Sequence, residues 1–361
     1  MPSTSAPAAA PSHISTYTEL SKKVRDAGLL ARTPVYYAVL LTVLGIALAG
    51  CIAGFVLLGA SWFQLLIAGA LGIVLTQFSF VAHEAAHRQV YTSGPRNDLL
   101  GRILANGVAG ISYTWWMNKH SRHHANPNKV GKDPDIDMDA IVFTTESAQK
   151  YEKSWLRHLH RRQGWLFFPL LTLEGINLHI TSIRSAITMP RGGRKNHRAS
   201  ELWTIGLRLS IYVALVVWLL PLGIAAAFLG VQLAVYGVYM GASFAPNHKG
   251  MEIIGRETTL DFFRRQVVTS RNIRGGKVMD VLMGGLNLQI EHHLFPSMPR
   301  PHLAAARRLV RQHSLENGVP YTETSLVQSY VIVIRYLNRV GLGARDPFDC
   351  PPARALRGPL G

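Results

Sequence analysis

The chain has 361 residues and carries 38 Lys and Arg against 21 Asp and Glu, which gives a formal net charge of +17. It is 48% hydrophobic and only 16% charged, whereas soluble globular chains are about 25% charged. This composition excludes intrinsic disorder and an ordinary soluble domain. A chain that is both basic and apolar is typical of a membrane protein whose loops hold the positive charge.

Two long stretches without charge predict the membrane-spanning helices. Residues 33–83 contain no Asp, Glu, Lys or Arg, and residues 202–248 contain only Arg208. A helix that crosses the hydrocarbon needs about 20 residues, so each stretch is long enough for two helices. We therefore predict an all-α membrane protein with four transmembrane helices arranged in two hairpins. The predicted spans are residues 35–58, 62–82, 205–220 and 222–245.

The charges fall on the segments outside these spans. Residues 1–34, 83–202 and 246–361 are each net positive, and the two hairpin turns carry no charge. An even number of spans puts the three segments on one side, and the positive-inside rule makes that side cytoplasmic. Topology and contact with anionic headgroups explain the basic excess, so nucleic-acid binding has no support.

The composition also predicts the domain organisation. Residues 1–16 are rich in Ala, Pro, Ser and Thr, and a tail rich in Pro and Arg begins at Arg345. We predict a flexible N-terminal arm over residues 1–34, one domain over residues 35–340, and a disordered tail over residues 341–361.

Histidines are the main chemical signal of the sequence. Eight of the 15 histidines lie in four short stretches outside the predicted spans. The stretches are HEAAH at 83–87, HSRHH at 120–124, a single histidine at 248 and QIEHH at 289–293. Spacings of three and four residues put side chains on one face of a helix, and imidazole is a common metal ligand. The candidate ligands are His83, His87, His120, His123, His124, His248, Gln289, His292 and His293.

The number of imidazoles indicates two metal ions. A tetrahedral zinc takes four ligands, and a catalytic zinc keeps one of those positions open. Nitrogen-rich sites without thiolate accept iron, zinc or copper, so the residue types leave the metal open. Glu84, Asn247 and Glu291 are candidates for orienting the rings. The alternating aspartates of residues 133–139 lack the Gly that a calcium loop needs, so we expect a surface loop there.

The three longer stretches resemble the histidine boxes of the membrane fatty acid desaturases, HX3H, HX2HH and QX2HH. Gln289 and the LFPSMPRPHL that follows the third box resemble the front-end acyl desaturases and their bacterial relatives. The resemblance covers about residues 35–340. It implies an enzyme that uses O2 at a di-iron centre to introduce a double bond into a fatty acyl chain, carried on CoA or on a lipid.

The resemblance also implies cofactors, partners and location. The nine candidate ligands would hold two iron ions, with Gln289 either an oxygen ligand or a residue that positions a neighbour. This sequence lacks the His-Pro-Gly-Gly haem motif of a fused cytochrome b5. A separate electron donor is therefore implied, such as a ferredoxin or cytochrome b5 with its reductase. The expected protein is multi-pass, in a bacterial plasma membrane, with its termini and a helical cap that carries the histidines on the cytoplasmic side.

Three other functions stay open from the residues alone. HEAAH also matches the HExxH pattern of a zinc protease, with Glu84 as general base, but that function leaves residues 120–124 and 289–293 unexplained. A lipid or alkyl hydroxylase uses similar boxes and makes an alcohol. A metal transporter would place ligands inside the spans, whereas residues 33–82 and 202–246 contain no histidine.

Overall fold

The fold is described from a computed structural model, which covers residues 13–151, 153–188 and 197–343. These residues are mostly helical. The first eight helices are α1 (His13–Asp26), α2 (Pro34–Leu58), α3 (Gln64–Ala86), α4 (Gly94–Arg102), α5 (Tyr113–Ala125), α6 (Thr145–Lys150), α7 (Leu156–His160) and α8 (Phe167–Leu171). They are followed by α9 (Glu174–Thr188), α10 (Arg198–Leu219), α11 (Leu222–His248), α12 (Phe262–Val268), α13 (Gly276–Leu282), α14 (Gln289–Leu294), α15 (Arg300–Glu316) and α16 (Leu326–Leu342).

Two further elements interrupt the helices. A π-helical segment, Ile103–Ala109, joins α4 to the loop before α5. Two short strands, β1 (Asn272–Arg274) and β2 (Glu323–Ser325), pair in parallel with Asn272 opposite Glu323. This strand pair and an isolated parallel bridge between Lys129 and Ile254 are the β-structure within the residues that the structure describes.

Four helices of the described chain are long and apolar enough to cross a membrane, namely α2, α3, α10 and α11. A helix satisfies its backbone hydrogen bonds internally, which the hydrocarbon requires. Large apolar side chains such as Val39, Leu66 and Trp218 are 58, 69 and 79% exposed, as expected where lipid is the solvent. The predicted number of spanning helices is therefore confirmed.

Several helices extend beyond the predicted limits of the spans. α3 continues to Ala86 rather than Ala82, α11 continues to His248, and α10 begins at Arg198 rather than Ile205. The first polar residue after an apolar run marks where the hydrocarbon ends. The helix itself continues beyond that point, because its backbone hydrogen bonds do not depend on the polarity of the side chains. These extensions carry His83 and His248 on the same continuous helices that cross the membrane.

The packing of α3 against α11 forms the centre of the spanning region. A Cβ added at Gly72 of α3 would lie 2.9 Å from the carbonyl oxygen of Gln232 and 3.0 Å from Cβ of Val235. Glycine therefore lets the two backbones approach closely. α2 packs on α3, and both α9 and α10 pack on α11. The ends of α3 and α11 are also close, since the His83 and Phe244 rings lie 6.2 Å apart.

A second core lies outside the spans and includes part of the predicted flexible arm. Leu20 and Val24 of α1 are fully buried in a cluster with side chains of α12, α14 and α15. Leu20 and Val24 are four residues apart and therefore lie on one face of α1, which packs against this core. The structure differs here from the predicted flexible arm. Residues 1–12, the start of that arm, and residues 344–361, nearly all of the predicted tail, lie outside the described residues.

Glu201 joins the α10 span to the start of α5. Its buried carboxylate accepts hydrogen bonds from the backbone N–H of Thr114 (3.1 Å), from the Thr114 hydroxyl (2.7 Å) and from the Ser112 hydroxyl. The same carboxylate pairs with Arg102 at 2.9 Å. These bonds anchor the first turn of α5, the helix that carries residues 120–124.

We expect Glu201→Ala to destabilise the protein. The substitution leaves Arg102 and three hydrogen-bond donors without their acceptor, and breaking such a buried pair costs roughly 3 kcal/mol. Thermal unfolding in detergent, followed by circular dichroism, should give a clearly lower midpoint. The exposed Glu257 provides the matched control, because Glu257→Ala should shift stability by no more than about 0.5 kcal/mol. Equal midpoints for the two variants would contradict the anchoring role.

Candidate metal centre

The eight histidines of the four stretches come together in two adjoining groups. The first group is His83, His87, His120, His124 and His292, and the second is His123, His248 and His293. Within each group, one nitrogen from every ring lies within 4.8 Å of the others. The groups touch where the rings of His124 and His293 stack, with their centroids 4.2 Å apart.

Four helices from distant parts of the chain supply these rings. His83 lies in α3, His87 directly follows that helix, and His248 is the last residue of α11. His292 and His293 lie in the six-residue α14, every residue of which is buried. On α5, His120 and His124 face the first group, whereas His123 belongs to the second. The stripe that spacing predicted on α5 is thus divided between the two groups.

One ring nitrogen of the first group faces two others at hydrogen-bonding distance. Nε2 of His120 lies 3.0 Å from Nε2 of His83 and 2.8 Å from Nε2 of His87. A neutral imidazole has one N–H, so His120 can donate to at most one of these neighbours. Burial lowers the pKa of His87 to about 3. The same cause lowers the pKa values of His120, His124, His292 and His293, so these rings stay neutral and keep a free lone pair.

Four of the nitrogens have no hydrogen-bond partner in the described part of the chain. They are Nδ1 and Nε2 of His124, Nε2 of His292 and Nε2 of His293, and all four atoms are buried. Buried polar atoms without partners are uncommon, and they require an explanation such as a bound ion. The donor set of neutral imidazoles without thiolate fits first-row transition metals. The residues present therefore fit a metal centre with two neighbouring positions.

Acceptors behind the rings orient the second group. Nδ1 of His123 lies 3.0 Å from both carboxylate oxygens of Asp133, and Nδ1 of His248 lies 3.0 Å from the carbonyl oxygen of Thr269. Nδ1 of His293 lies 2.9 Å from Oε1 of Gln266. Such contacts hold a proton on Nδ1 and would direct the Nε2 lone pair to a bound metal ion. None of these three acceptors was among the orienting residues predicted from the sequence.

The burial of Asp133 contradicts the prediction that residues 133–139 form a surface loop. It is 1% exposed, and it also accepts hydrogen bonds from the backbone N–H groups of Asn128 (2.7 Å) and Asp135 (2.9 Å). Burial lowers the pKa of His123, but the carboxylates of Asp133 and Asp135 outweigh it, and the net shift is upward. Asp137 and Asp139 are exposed. The available signal was an aspartate run ten residues after a histidine cluster, across an Asn-Pro-Asn turn.

The three predicted orienting residues have different partners. Asn247 donates from Nδ2 to Oε1 of Gln289 at 3.2 Å, and Nε2 of Gln289 lies 3.0 Å from Nε2 of His248. Glu84 pairs with Arg300 of α15. Glu291 accepts hydrogen bonds from Asn272 and Tyr321, both at 2.7 Å. Glu84 and Glu291 thus connect their histidine stretches to other parts of the fold, and neither of them contacts a histidine ring through these bonds. A protease base would instead face the metal.

An apolar cavity of about 700 Å³ lies elsewhere, between α2, α3, α10 and α11. Its lining includes Leu48, Leu75 and Phe228, and none of the eight histidines is among the residues that line it. Leu75 is about two helical turns from His83, so the cavity opens among the spans rather than at the metal centre.

The fold and the site define a multi-pass membrane protein with a histidine-rich metal centre. A profile described as fatty acid desaturase matches residues 59–325. The chain belongs to the fatty acid desaturase family. Membership makes it a membrane-bound oxidoreductase that desaturates fatty acyl chains.

Individual relatives agree with this assignment. The chain is 30% identical over 315 residues to the Delta(5) fatty acid desaturase fat-4 of Caenorhabditis elegans, covering 85% of this chain and 69% of the relative. It is 28% identical over 345 residues to the Delta(8)-fatty-acid desaturase 2 of Arabidopsis thaliana, covering 91% and 75%. It is 26% identical over 338 residues to the Delta(6)-fatty-acid desaturase fat-3 of C. elegans, covering 91% and 75%.

These names agree with the resemblance to front-end desaturases. The relatives come from an animal and a plant, so they give no support to the bacterial plasma membrane expected from the sequence.

We expect Asp133→Asn to weaken metal binding. The substitution removes the carboxylate that fixes the orientation of His123, and the loss of such a partner lowers metal affinity by about 10- to 100-fold. Titration of the metal-depleted protein with Fe(II) against a competing chelator measures the change. Asp137→Asn is the matched control, since Asp137 is exposed and stands four residues away. Equal affinities in the two variants would exclude the orienting role of Asp133.

Proposed function

We propose that the two histidine groups hold two iron ions and that the chain uses them with O2 to introduce a double bond into an acyl chain. The ligands of the first ion are His83, His87, His120, His124 and His292. The ligands of the second ion are His123, His248, His293 and Gln289. The observation that supports this most directly is the set of buried, unpartnered Nε2 atoms where the two groups meet.

The surroundings of Gln289 support an oxygen ligand at this position. In the structure its Nε2 is directed to His248 and its Oε1 to Asn247. Rotating the amide by half a turn exchanges the two atoms, which have nearly the same shape. Oε1 then faces His248, and Nε2 stands where Nδ2 of Asn247 now donates. A matching rotation of Asn247 exchanges its bond to the Ser243 carbonyl oxygen for one from Gln289 Nε2 to Oδ1 of Asn247, a buried oxygen without a partner in the described chain. Asn247 is thereby a residue that positions Gln289.

The reaction balances with an external source of electrons. One acyl –CH2–CH2– unit, O2, two electrons and two protons give one –CH=CH– unit and two molecules of water. When bound, the iron pair supplies the redox chemistry that reduces O2 and removes hydrogen from an unactivated chain. The protein's own part is to hold the ligands and exclude water. His83, His248, His292 and His293 are each at most 5% exposed.

The acyl chain approaches the centre from the membrane side. The His83 ring lies against Trp116 and Phe244, with ring centroids 5.3 and 6.2 Å away, so its surroundings toward the spans are apolar. We propose that the four spans form two hairpins and that the remaining helices cap the histidines on the cytoplasmic side. The basic excess of the segments on that side supports this orientation.

The electrons come from a separate carrier such as a ferredoxin or a cytochrome b5. Arg88 and Arg122 are exposed and each is next in sequence to a proposed ligand. Arg122 and Lys132 also line a shallow depression at the surface. An acidic carrier that docks on these cations would be steered by opposite charge to within a few residues of the iron.

We expect His120→Ala to lose iron and activity while the protein stays in the membrane. Its Nε2 stands between two other proposed ligands, so removing the ring opens the first position. Elemental analysis of the purified wild-type protein should give about two iron ions per chain, the number that eight imidazoles suit. The exposed His158 supplies the control, and His158→Ala should keep full iron. One zinc per wild-type chain would overturn the proposal.

The product decides between desaturation and hydroxylation. The chain would be expressed in a host with a simple lipid profile, and the fatty acid methyl esters would be read by mass spectrometry. A new alkene that is absent with His120→Ala and present with His158→Ala supports the proposed reaction. An alcohol in its place would assign the chain to the hydroxylases.

The role of Gln289 is tested by three substitutions. An oxygen ligand is retained in Gln289→Glu and lost in Gln289→Ala, so we expect the first variant to keep iron and the second to lose at least one ion per chain. Gln289→Met keeps the length of the side chain without an oxygen and should resemble Gln289→Ala. Equal iron content in all three variants would show that residue 289 only fills space.

A further inference from the structure

The segment between β1 and the third histidine stretch lies against the spanning helices. Nε2 of Gln77 on α3 donates to the carbonyl oxygen of Val281 at 3.0 Å. The hydroxyl of Tyr239 on α11 donates to the carbonyl oxygen of Leu282 at 2.6 Å. A Cβ added at Gly284 would lie 2.5 Å from the ring of Phe80, so this turn is in direct contact with α3. α13 is therefore held by the two central spans.

The contacts are far from the ends of those spans. Gln77 stands six residues before His83, and Tyr239 stands nine residues before His248. At 1.5 Å per residue, these separations are about 9 and 13 Å along the helices. The end of α13 thus reaches deeper toward the middle of the membrane than the histidines do.

The hydrogen bonds match the needs of a helix that ends in hydrocarbon. The last carbonyl groups of a helix have no partner within the helix, and at this depth there is no water to satisfy them. Tyr239 supplies the donor for the carbonyl oxygen of Leu282, and Gln77 adds a shorter bond to that of Val281, which also accepts from the backbone N–H of Gly284 at 3.3 Å. Asp280 is paired as well, since Nδ2 of Asn287 donates to its carboxylate at 2.7 Å.

The outer face of α13 is apolar and uncovered. Val278, Val281 and Leu282 are 68, 61 and 47% exposed. Arg274 and Lys277 are also exposed and stand at the start of the segment. Basic residues followed by apolar ones match the passage from anionic headgroups into acyl chains. Gly276, Gly284 and Gly285 have φ values of 60, 59 and 79°, which let the chain turn in and out within a few residues.

We propose that residues 274–288 form a re-entrant segment that enters the bilayer from the side of the histidines and leaves on the same side. Its partner is lipid: Arg274 and Lys277 contact the headgroups, and Val278, Val281 and Leu282 contact the acyl chains. Because α13 contacts α3 and α11 directly, its apolar face extends the lipid-facing surface of these spans. The proposal concerns this surface alone and stands apart from the metal and the reaction.

Site-directed spin labelling tests the proposal in the full chain. Cys51 and Cys350 are replaced by Ala, and single cysteines are introduced at Val281, at Val43 of α2 and at Leu315 of α15. The last two positions are 55 and 68% exposed and serve as lipid and water references. The labelled proteins are reconstituted in vesicles of phosphatidylcholine and phosphatidylglycerol, and collision rates with O2 and with a water-soluble nickel chelate are measured.

A membrane position collides often with O2 and rarely with the nickel chelate. We expect the label at Val281 to match the label at Val43, with a nickel collision rate at least fivefold below that at Leu315. A label at Val278 should lie between them because it is nearer the headgroups. Nickel access at Val281 equal to that at Leu315 would overturn the proposal. Low access to both agents would also overturn it, since the face would then be covered by protein. Desaturated product from each variant confirms that it is folded.

Discussion

Neutral imidazole rings turn their nitrogens toward one another inside a dry interior, an arrangement that fits a cation between them, and the rest of the structure holds the rings in these positions. Neither α3 nor α11 could hold its histidines in place alone. The close contact at Gly72 sets the two helices side by side, so that His83 and His248 reach the same region. The orientation of the rings then depends on acceptors behind them, among which Asp133 is buried and makes four contacts to nitrogen.

The membrane divides the remaining energetics into two parts. Within the spans, lipid covers the apolar side chains, and polar contacts such as those of Glu201 and Tyr239 hold particular elements together. Outside the spans, the hydrophobic effect operates as in a soluble domain, and α1, α12, α14 and α15 bury a common core. α14 belongs to both parts, since Ile290 and Leu294 join that core while His292 and His293 face the metal centre.

Much of this could be predicted from the sequence, for reasons that differ between features. The spans can be predicted from stretches without charged residues, because hydrocarbon excludes charge. The helix ends at Arg198 and Ala86 could not be predicted in this way, because they depend on backbone hydrogen bonds rather than on side-chain polarity. The histidines follow from spacing on a helix. Their division into two groups does not, because it depends on the rotation of α5 relative to α3 and α11. Asp133 was missed because its burial results from a turn that folds the chain back onto His123.

The buried pair of Glu84 and Arg300 has a consequence for how the protein is made. Glu84 lies within residues 83–87, and Arg300 stands seven residues after the stretch at 289–293. The pair therefore joins two histidine stretches that are about 200 residues apart in the sequence. During synthesis on the ribosome, α2 and α3 are complete long before residues 289–300 exist. The early histidines therefore wait in an incomplete site with the Glu84 carboxylate unpaired. Both histidine groups are in this way completed only when the last third of the chain has been made, because His292 belongs to the first group and His293 to the second.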